Sequence, residues 1–299
     1  MTATTLLSST AAPVLDATAH GLACRGLASG YLGQEVLHEI SFEIGTPGVY
    51  VVLGPNGAGK TTLFRTLAGI LRPLKGEAQI GRWSSEEAAR QGQVHYLSHL
   101  DGMPEGLRVR EALDLYARVE RAAPADVDRV LDSLALGPLA DRYLSELSAG
   151  QRKRVSVGRI FLQDRGIYLL DEPTANLDPK VAREIRTLIL GLAKEKVVLY
   201  SSHNLFEARE IGRFVLAIKG GRLQYFGPIE QLRAARFVVG VRVLGPTNAL
   251  ADWPREGDYF TRELAGPEEV PPLLRELDAQ GVRVRELREM NNPLEDLFT

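Results

Sequence analysis

The stretch "GPNGAGKT", from Gly54 to Thr61, constrains the fold of this chain more than any other part of the sequence. It follows the apolar run "GVYVVL" (48–53) and opens a segment with helical periodicity, which is the strand–loop–helix context of a phosphate-binding loop. Its glycines let backbone N–H groups turn towards phosphates without a Cβ clash. Composition alone gives a chance match in roughly 1% of such chains. The stretch therefore predicts a nucleoside-triphosphate site rather than a glycine-rich turn with an incidental lysine.

Two further groups suit such a site. Lys60 is expected to contact the β- and γ-phosphates, and Thr61 is expected to ligate Mg²⁺. The run "IYLLDEP" (167–173) ends in Asp171 and Glu172, where a phosphate-loop protein needs a carboxylate for Mg²⁺ and a group to polarise the attacking water. An isolated Asp-Glu pair more often forms a solvated acidic turn, so the catalytic interpretation depends on the phosphate loop.

Short apolar runs alternate with helical segments up to about residue 231. Continuous apolar runs at 48–53, 166–170 and 196–202 predict strands that are buried on both faces, and "EISFEI" (39–44) predicts a half-buried strand. The helical segments are 60–70, 107–119, 126–135, 150–163 and 179–194. The alternation predicts an α/β fold: a P-loop NTPase core with a parallel sheet, antiparallel N-terminal strands and a helical insert at about 100–163.

The chain is expected to have three parts. Residues 1–20 lack a basic start and a continuous apolar core, so they are expected to form a disordered tail rather than a signal peptide. Residues 21–232 are expected to form the nucleoside-triphosphate-binding domain. Residues 233–299 are expected to form a small α+β appendage, with strands at 237–244 and 282–287 and a helix at 268–280.

Charge and hydropathy exclude some classes of function. The net charge of −2 argues against nucleic acid as a partner. The single cysteine, Cys24, excludes intramolecular disulfides and fits a reducing compartment. No apolar run approaches the ~20 residues of a membrane helix, so any membrane role is expected to come through a partner.

A third motif narrows the family. "LSAGQ" (147–151) lies about 20 residues before Asp171, whereas the phosphate loop alone would leave kinases, GTPases and helicases open. From about Gly21 to Gln231 the chain resembles the nucleotide-binding subunit of an ATP-binding cassette (ABC) transporter, whose signature is usually L-S-G-G-Q. The matching features, in the family's order, are Tyr31, the phosphate loop Gly54–Thr62, "LSAGQ", Asp171 with Glu172, "ANLD" (175–178) and His203.

The resemblance implies ATP and Mg²⁺ as ligands. Tyr31 would stack on adenine, Asp171 would support Mg²⁺, Glu172 would activate water, and His203 would contact the γ-phosphate. The phosphate-loop residues expected to hold the nucleotide are Gly54, Pro55, Asn56, Gly57, Ala58, Gly59, Lys60, Thr61 and Thr62.

The resemblance also implies a dimer. Ser148, Gly150 and Gln151 would reach the ATP bound to a second subunit, and Asp178 would lie at the same interface. Read from the residues alone, Ser148 with Gln151 is a capping box, and Asp178 before a proline is a helix N-cap. Both interpretations can hold, because a capped helix start is itself an anion site.

Two positions depart from the family's pattern. His99 stands where the family has a glutamine that contacts Mg²⁺ and water, so it is taken as a catalytic and metal-contacting residue. An imidazole cannot reproduce the paired donor and acceptor of an amide, which predicts weaker or pH-sensitive coupling. Ala149 replaces the first glycine of the signature and leaves Gly150 to approach phosphate.

The expected function is ATP hydrolysis by a cytoplasmic subunit that dimerises around two Mg-ATP and drives a separate transmembrane permease at the inner face of the membrane. The tail "NPLEDLFT" (292–299) resembles that of subunits serving exporters of drugs, polysaccharides or haem, so export is the expected direction. The second subunit could be identical or different. The alternative is a soluble ABC-type ATPase that is not coupled to transport.

Overall fold

The computed structural model describes residues 21–99, 102–232, 237–244 and 250–290. The predicted tail (1–20) and the terminal motif (292–299) lie outside the described residues. The chain divides into two compact units between Pro228 and Ile229, whereas the sequence-based boundary is residue 232. No helix in the described ranges is both long and apolar enough to cross a membrane.

Strands and helices alternate along the first unit, as the sequence predicts. The strands of the chain are β1 (Leu22–Tyr31), β2 (Gln34–Ile44), β3 (Gly48–Leu53), β4 (Lys75–Ile80), β5 (Trp83–Ser84), β6 (Val94–Leu97), β7 (Ile167–Asp171), β8 (Val197–Ser202), β9 (Phe214–Lys219), β10 (Arg222–Pro228), β11 (Phe237–Leu244), β12 (Arg255–Glu256), β13 (Tyr259–Leu264) and β14 (Arg283–Glu289). The α-helices are α1 (Lys60–Leu67), α2 (Ser85–Arg90), α3 (Val109–Glu120), α4 (Pro124–Ser133), α5 (Ala149–Gly158), α6 (Pro179–Leu192), α7 (Leu205–Ile211) and α8 (Val270–Ala279).

The central sheet of the first unit has six strands in the order β10-β9-β3-β8-β7-β6. All neighbouring pairs are parallel except β10 and β9, which are antiparallel. Every residue of β3, β7 and β8 is buried, which explains why these strands are continuous apolar runs. The predicted α/β fold is confirmed.

A second, antiparallel sheet has the order β2-β1-β4-β5. In the predicted strand 39–44, Ile40, Phe42 and Ile44 are buried while the residues between them are exposed, so the alternation correctly predicted a half-buried strand. These side chains share one core with Leu63 and Phe64 of α1. That packing fixes α1, and hence the phosphate loop that precedes it, against both sheets.

The helical insert has its own core. Side chains from α3, α4 and α5 pack together, among them Leu113, Val130 and Val155. Leu144 and Leu147, which precede α5, belong to the same core. The start of α5 is therefore placed by the insert rather than by the sheets.

The second unit is a four-stranded antiparallel sheet in the order β12-β13-β11-β14, together with α8. Its core includes Val239 and Val241 of β11 with Leu273 and Leu277 of α8. The sequence predicted β11, α8 and β14 but not β12 and β13, because these short strands lie in a segment rich in turn-forming and charged residues.

Candidate active site

The phosphate loop has a backbone that requires glycine at specific positions. Gly57 and Gly59 have φ angles of 80° and 104°, in the left-handed region that side chains disfavour. A Cβ on Gly54 would lie 2.4 Å from the carbonyl oxygen of Ile218. The loop therefore packs closely on β9 and then enters α1 at Lys60, as the motif predicts.

Lys60 is nearly buried at the base of this loop. Its Nζ donates to the carbonyl oxygens of Gly54 (2.7 Å) and Pro55 (3.2 Å) and lies 4.0 Å from Oε1 of Glu172. Burial lowers the pKa of Lys60, while the carboxylates of Glu172 and Asp171 oppose that effect. The lysine is thus held between the phosphate loop and the acidic pair.

Ser201, which sequence reasoning missed, holds both carboxylate residues. Its Oγ donates to Oδ1 of Asp171 (2.6 Å) and accepts the backbone N–H of Glu172 (2.8 Å). The contact exists because β7 and β8 are parallel neighbours, with Asp171 opposite Ser201. Glu172 itself has a φ of 49°, a conformation that is costly for a residue with a Cβ. The hydrogen bond to Ser201 therefore supports the strained turn that aims the Glu172 side chain.

Asp171 offers an oxygen to a cation. Its Oδ2 is buried and accepts no hydrogen bond from any described residue, which is costly unless another ligand is bound there. Nowhere in the described ranges do three or more His, Cys, Asp or Glu side chains form a group that could hold a metal by themselves. The site fits Mg²⁺, which takes few protein ligands and completes its shell with phosphate oxygens and water.

His99 and Glu172 line a cavity of about 270 Å³ together with the phosphate loop, including Lys60 and Thr61. The Nδ1 of His99 lies 3.6 Å from Oδ2 of Asp171, which is too long for a hydrogen bond. The structure thus brings His99 from the end of β6 to the phosphate loop.

His203 lies between β8 and α7, close to Glu172. Its Nδ1 lies 3.3 Å from Oε1 of Glu172, and more than half of its side chain is exposed. Both residues line a second cavity, of about 460 Å³, together with Asn176 and Leu177 of the segment that follows the acidic pair. One oxygen of Glu172 is therefore within 4.0 Å of both Lys60 and His203.

Tyr31 ends β1 and is 38% exposed. Arg65 of α1 donates from Nη1 to the Tyr31 hydroxyl at 3.2 Å, and its guanidinium carbon lies 5.9 Å from the ring centroid. This contact places the ring beside the helix that begins at the phosphate loop.

The signature residues form the start of α5. Ser148 Oγ accepts the N–H of Gln151 (3.3 Å), and Gln151 Oε1 accepts the N–H of Ser148 (3.0 Å). Asp178 caps α6 through a single bond, in which its Oδ1 accepts the N–H of Lys180 at 2.8 Å. The capping interpretations of both motifs are confirmed. A Cβ would fit at Gly150, because it would meet the Val181 side chain at 3.7 Å, an ordinary van der Waals distance.

The described residues that line the two cavities beside Glu172 do not include Ser148, Gly150 or Gln151. The chain therefore brings Lys60, His99, Glu172 and His203 together but leaves the signature elsewhere on its surface.

A family model and several known proteins are similar to this chain in sequence. A family model described as ABC transporter matches residues 37–175. Sulfate/thiosulfate import ATP-binding protein CysA of Bordetella parapertussis is 34% identical over 276 residues, which is 86% of this chain and 75% of that protein. Cytochrome c biogenesis ATP-binding export protein CcmA of Ruegeria pomeroyi is 42% identical over 49% of this chain and 66% of that protein. The sn-glycerol-3-phosphate import ATP-binding protein UgpC of Ralstonia nicotianae is 32% identical over 76% of this chain and 65% of that protein. The chain thus spans just under two thirds of the length of the last two relatives.

Two solved structures have the same fold. A structure of the ATP binding subunit of an ABC transporter superposes with a TM-score of 0.65 and 25% identity, over 71% of this chain and 91% of that one. The protein cbiO1 from Clostridium perfringens, part of the ABC transporter complex cbiONQ, superposes with a TM-score of 0.63 and 24% identity, over 72% and 90% of the two chains.

Proposed function

The chain belongs to the ABC transporter family of ATP-binding subunits, and on that premise we propose that it hydrolyses ATP in order to drive a membrane permease. The observation that carries the proposal is the position of Glu172. Its Oε1 lies 4.0 Å from Nζ of Lys60 and 3.3 Å from Nδ1 of His203. A carboxylate close to two groups that can contact phosphate is placed to accept a proton from an attacking water.

Each residue of the site has a part in this reaction. Lys60 neutralises the β- and γ-phosphates, and the N-terminus of α1 attracts the same anion. Asp171 and Thr61 would hold Mg²⁺, which when bound neutralises phosphate charge and orients the γ-phosphate. Glu172 orients the water and receives its proton. His203 contacts the γ-phosphate.

Tyr31 and His99 complete the nucleotide site. Tyr31 stacks on the adenine, and its ring is held by Arg65 on the helix that follows the phosphate loop. His99 lies at the cavity wall beside Asp171, where it would help to hold Mg²⁺ or its water ligands in place of the family's glutamine.

We infer that two copies of such a subunit close around two ATP molecules. Ser148, Gly150 and Gln151 then contact the nucleotide bound to the second subunit, with Asp178 at the same interface. Gly150 supports this inference: no contact among the described residues requires a glycine there, although glycine weakens a helix relative to alanine. A close approach from outside the chain accounts for it. The second subunit is either identical or a related chain.

The partner of the dimer is a transmembrane permease at the inner face of the membrane. Export is the proposed direction, on the resemblance of the tail "NPLEDLFT", which lies outside the described residues. The relatives' names include both import and export proteins, so a flux assay in vesicles with the permease decides the direction.

Phosphate release from Mg-ATP by the purified full-length chain tests the central proposal. Glu172→Gln keeps the shape of the side chain but removes the proton acceptor. We expect it to bind ATP as the wild type does, to lose nearly all hydrolysis and to accumulate an ATP-bound dimer in light scattering. Glu195→Gln, at an exposed carboxylate of the same unit, is the matched control. Hydrolysis at the wild-type rate by Glu172→Gln would refute the role of Glu172.

A further inference from the structure

Next to the site, the carboxylate of Glu207 on α7 is the centre of a polar cluster that no part of the reaction uses. Its Oε1 accepts a hydrogen bond from Oγ1 of Thr174 (2.8 Å) and pairs with Nη1 of Arg186 (3.2 Å). Its Oε2 accepts hydrogen bonds from Oγ of Ser202 (2.8 Å) and from the hydroxyl of Tyr200 (3.3 Å). We call these five residues the Glu207 cluster.

The four partners of Glu207 are buried, and Glu207 itself is partly buried. Thr174, Arg186, Tyr200 and Ser202 are each less than 9% exposed, and the Glu207 side chain is 14% exposed. Burial, together with the Glu207 carboxylate, raises the pKa of Tyr200, so the phenol stays protonated and acts as a donor. The four partners hold the Glu207 carboxylate in one geometry, because its loss would leave their buried polar groups without compensation.

The cluster joins the two chain segments that carry the proposed catalytic groups. Thr174 lies two residues after Glu172, and Ser202 immediately precedes His203. The hydroxyl of Ser202 also accepts the backbone N–H of Asn204, so both sides of His203 are tied to it. Within the described residues, no hydrogen bond joins Glu207 directly to Glu172 or His203. Any influence of Glu207 on them passes through Thr174 and Ser202.

We propose that Glu207 is a positioning residue that sets the contact between Glu172 and His203 by holding the segments on either side of that contact. The proposal rests on the proposed ATPase function. Catalytic groups lose effect when they shift by as little as about 1 Å, and Glu172 and His203 are 3.3 Å apart. In the described residues two further contacts join their segments: the Ser201 hydroxyl at the strand ends and a hydrogen bond between the hydroxyls of Thr174 and Tyr200 (2.5 Å), inside the Glu207 cluster itself.

Glu210, on the same helix, offers a matched control. Its Oε2 pairs with Nη2 of Arg186 at 3.0 Å, so it shares the arginine with Glu207. In the described part of the chain it makes no hydrogen bond to Thr174 or Ser202. Glu207→Gln and Glu210→Gln therefore each remove one of the carboxylates that pair with Arg186. Only Glu207→Gln also disturbs the hydrogen bonds that join the segments of Glu172 and His203.

The test is steady-state ATP hydrolysis by the purified full-length variants, with Glu172→Gln measured in the same assay. We expect Glu207→Gln to lower kcat by about tenfold or more while KM for ATP stays within about twofold. Glu210→Gln should keep the wild-type kcat. A merely structural role for Glu207 would instead give the two variants equal losses, in step with their melting temperatures.

A second pair of variants covers the case in which Glu207→Gln does not fold. Thr174→Val keeps the shape of the side chain but removes its hydroxyl, and Thr174→Ser keeps the hydroxyl. We expect Thr174→Val to lower kcat and Thr174→Ser to restore it. The double variant Thr174→Val/Glu207→Gln should lose no more than the more affected single variant, because both act through one tie.

The outcomes separate this proposal from the one on which it rests. Wild-type kcat in Glu207→Gln or in Thr174→Val, with Glu172→Gln inactive, would overturn the positioning role and leave the ATPase assignment intact. Equal hydrolysis by the wild type and Glu172→Gln would overturn the ATPase assignment itself, and with it the role of Glu207.

Discussion

Oε1 of Glu172 lies 3.3 Å from Nδ1 of His203, although 31 positions separate the two residues in the chain. Their strands, β7 and β8, are parallel neighbours in the central sheet, so both strands end at the same edge. The phosphate loop follows β3, and β3 pairs with β8 on the side of β8 opposite to β7. Three neighbouring strand ends thus supply the phosphate loop, Glu172 and His203, as expected for ligand sites at the carboxyl edge of a parallel sheet.

Ser201→Ala should weaken both folding and turnover. The Ser201 hydroxyl binds the Asp171 carboxylate and the Glu172 backbone, so its loss leaves a buried carboxylate oxygen without a donor. We expect the free energy of unfolding to fall by about 1–3 kcal/mol, measured by urea denaturation, and kcat to fall with it. Ser145→Ala, at an exposed serine, is the control. Unchanged kcat in Ser201→Ala would show that this hydrogen bond does not place Glu172.

His99→Gln should raise ATP hydrolysis, because an amide restores the paired donor and acceptor that an imidazole cannot supply. Nδ1 of His99 lies 3.6 Å from Oδ2 of Asp171, so the side chain at this position lies beside the proposed Mg²⁺ site. Steady-state hydrolysis by the two proteins tests this, with His38→Gln as a control at a histidine outside the cavity. Equal rates in the wild type and His99→Gln would contradict the role given to His99.

Lys60→Met should abolish nucleotide binding and remove one pH dependence of the free energy of unfolding. Burial lowers the pKa of Lys60, so folding disfavours its cation relative to the neutral amine. The sign follows from linkage: wild-type stability should rise relative to the variant as the pH approaches the ordinary lysine value of 10.5.

Thermal melts with and without Mg-ATP give the second readout for Lys60→Met. Mg-ATP should raise the melting temperature of the wild type and leave that of the variant unchanged, since only binding to the native state shifts the equilibrium. An equal shift in both proteins would mean that Lys60 does not hold the phosphates.

Gly150→Ala should separate folding from dimer formation. A Cβ at this helical position fits the chain, so the free energy of unfolding should rise by about 0.5–1 kcal/mol. In the Glu172→Gln background the same change should weaken the ATP-dependent dimer, because the proposed dimer brings the second subunit's nucleotide to this position. Gly191→Ala, in an open position of α6, should be stabilised without affecting the dimer. If light scattering finds the same fraction of dimer in Gly150→Ala and Gly191→Ala, the proposed contact between Gly150 and the second subunit's nucleotide is refuted.

Local sequence patterns were sufficient for several elements. The continuous apolar runs of β3, β7 and β8 and the alternation in 39–44 identified those strands, since burial on one or both faces determines which residues a strand can carry. The helix predicted at 150–163 is divided in the structure into α5 and a 3-10 turn at Arg159–Phe161. The short helices α2 and α7 were not predicted, because six or seven residues show too little periodicity to be distinguished from a loop.

The sequence by itself determined the phosphate loop, the acidic pair and the two helix caps, because each depends on residues that are adjacent in the chain. Only the tertiary structure decided which side chains meet: Ser201 with Asp171, His203 with Glu172, and Glu207 with Thr174. These contacts depend on the parallel pairing of β7 with β8 and on the packing of α7 beside them. The physical reason is that hydrogen bonds between distant segments depend on strand order and register, and no local pattern of residues encodes those.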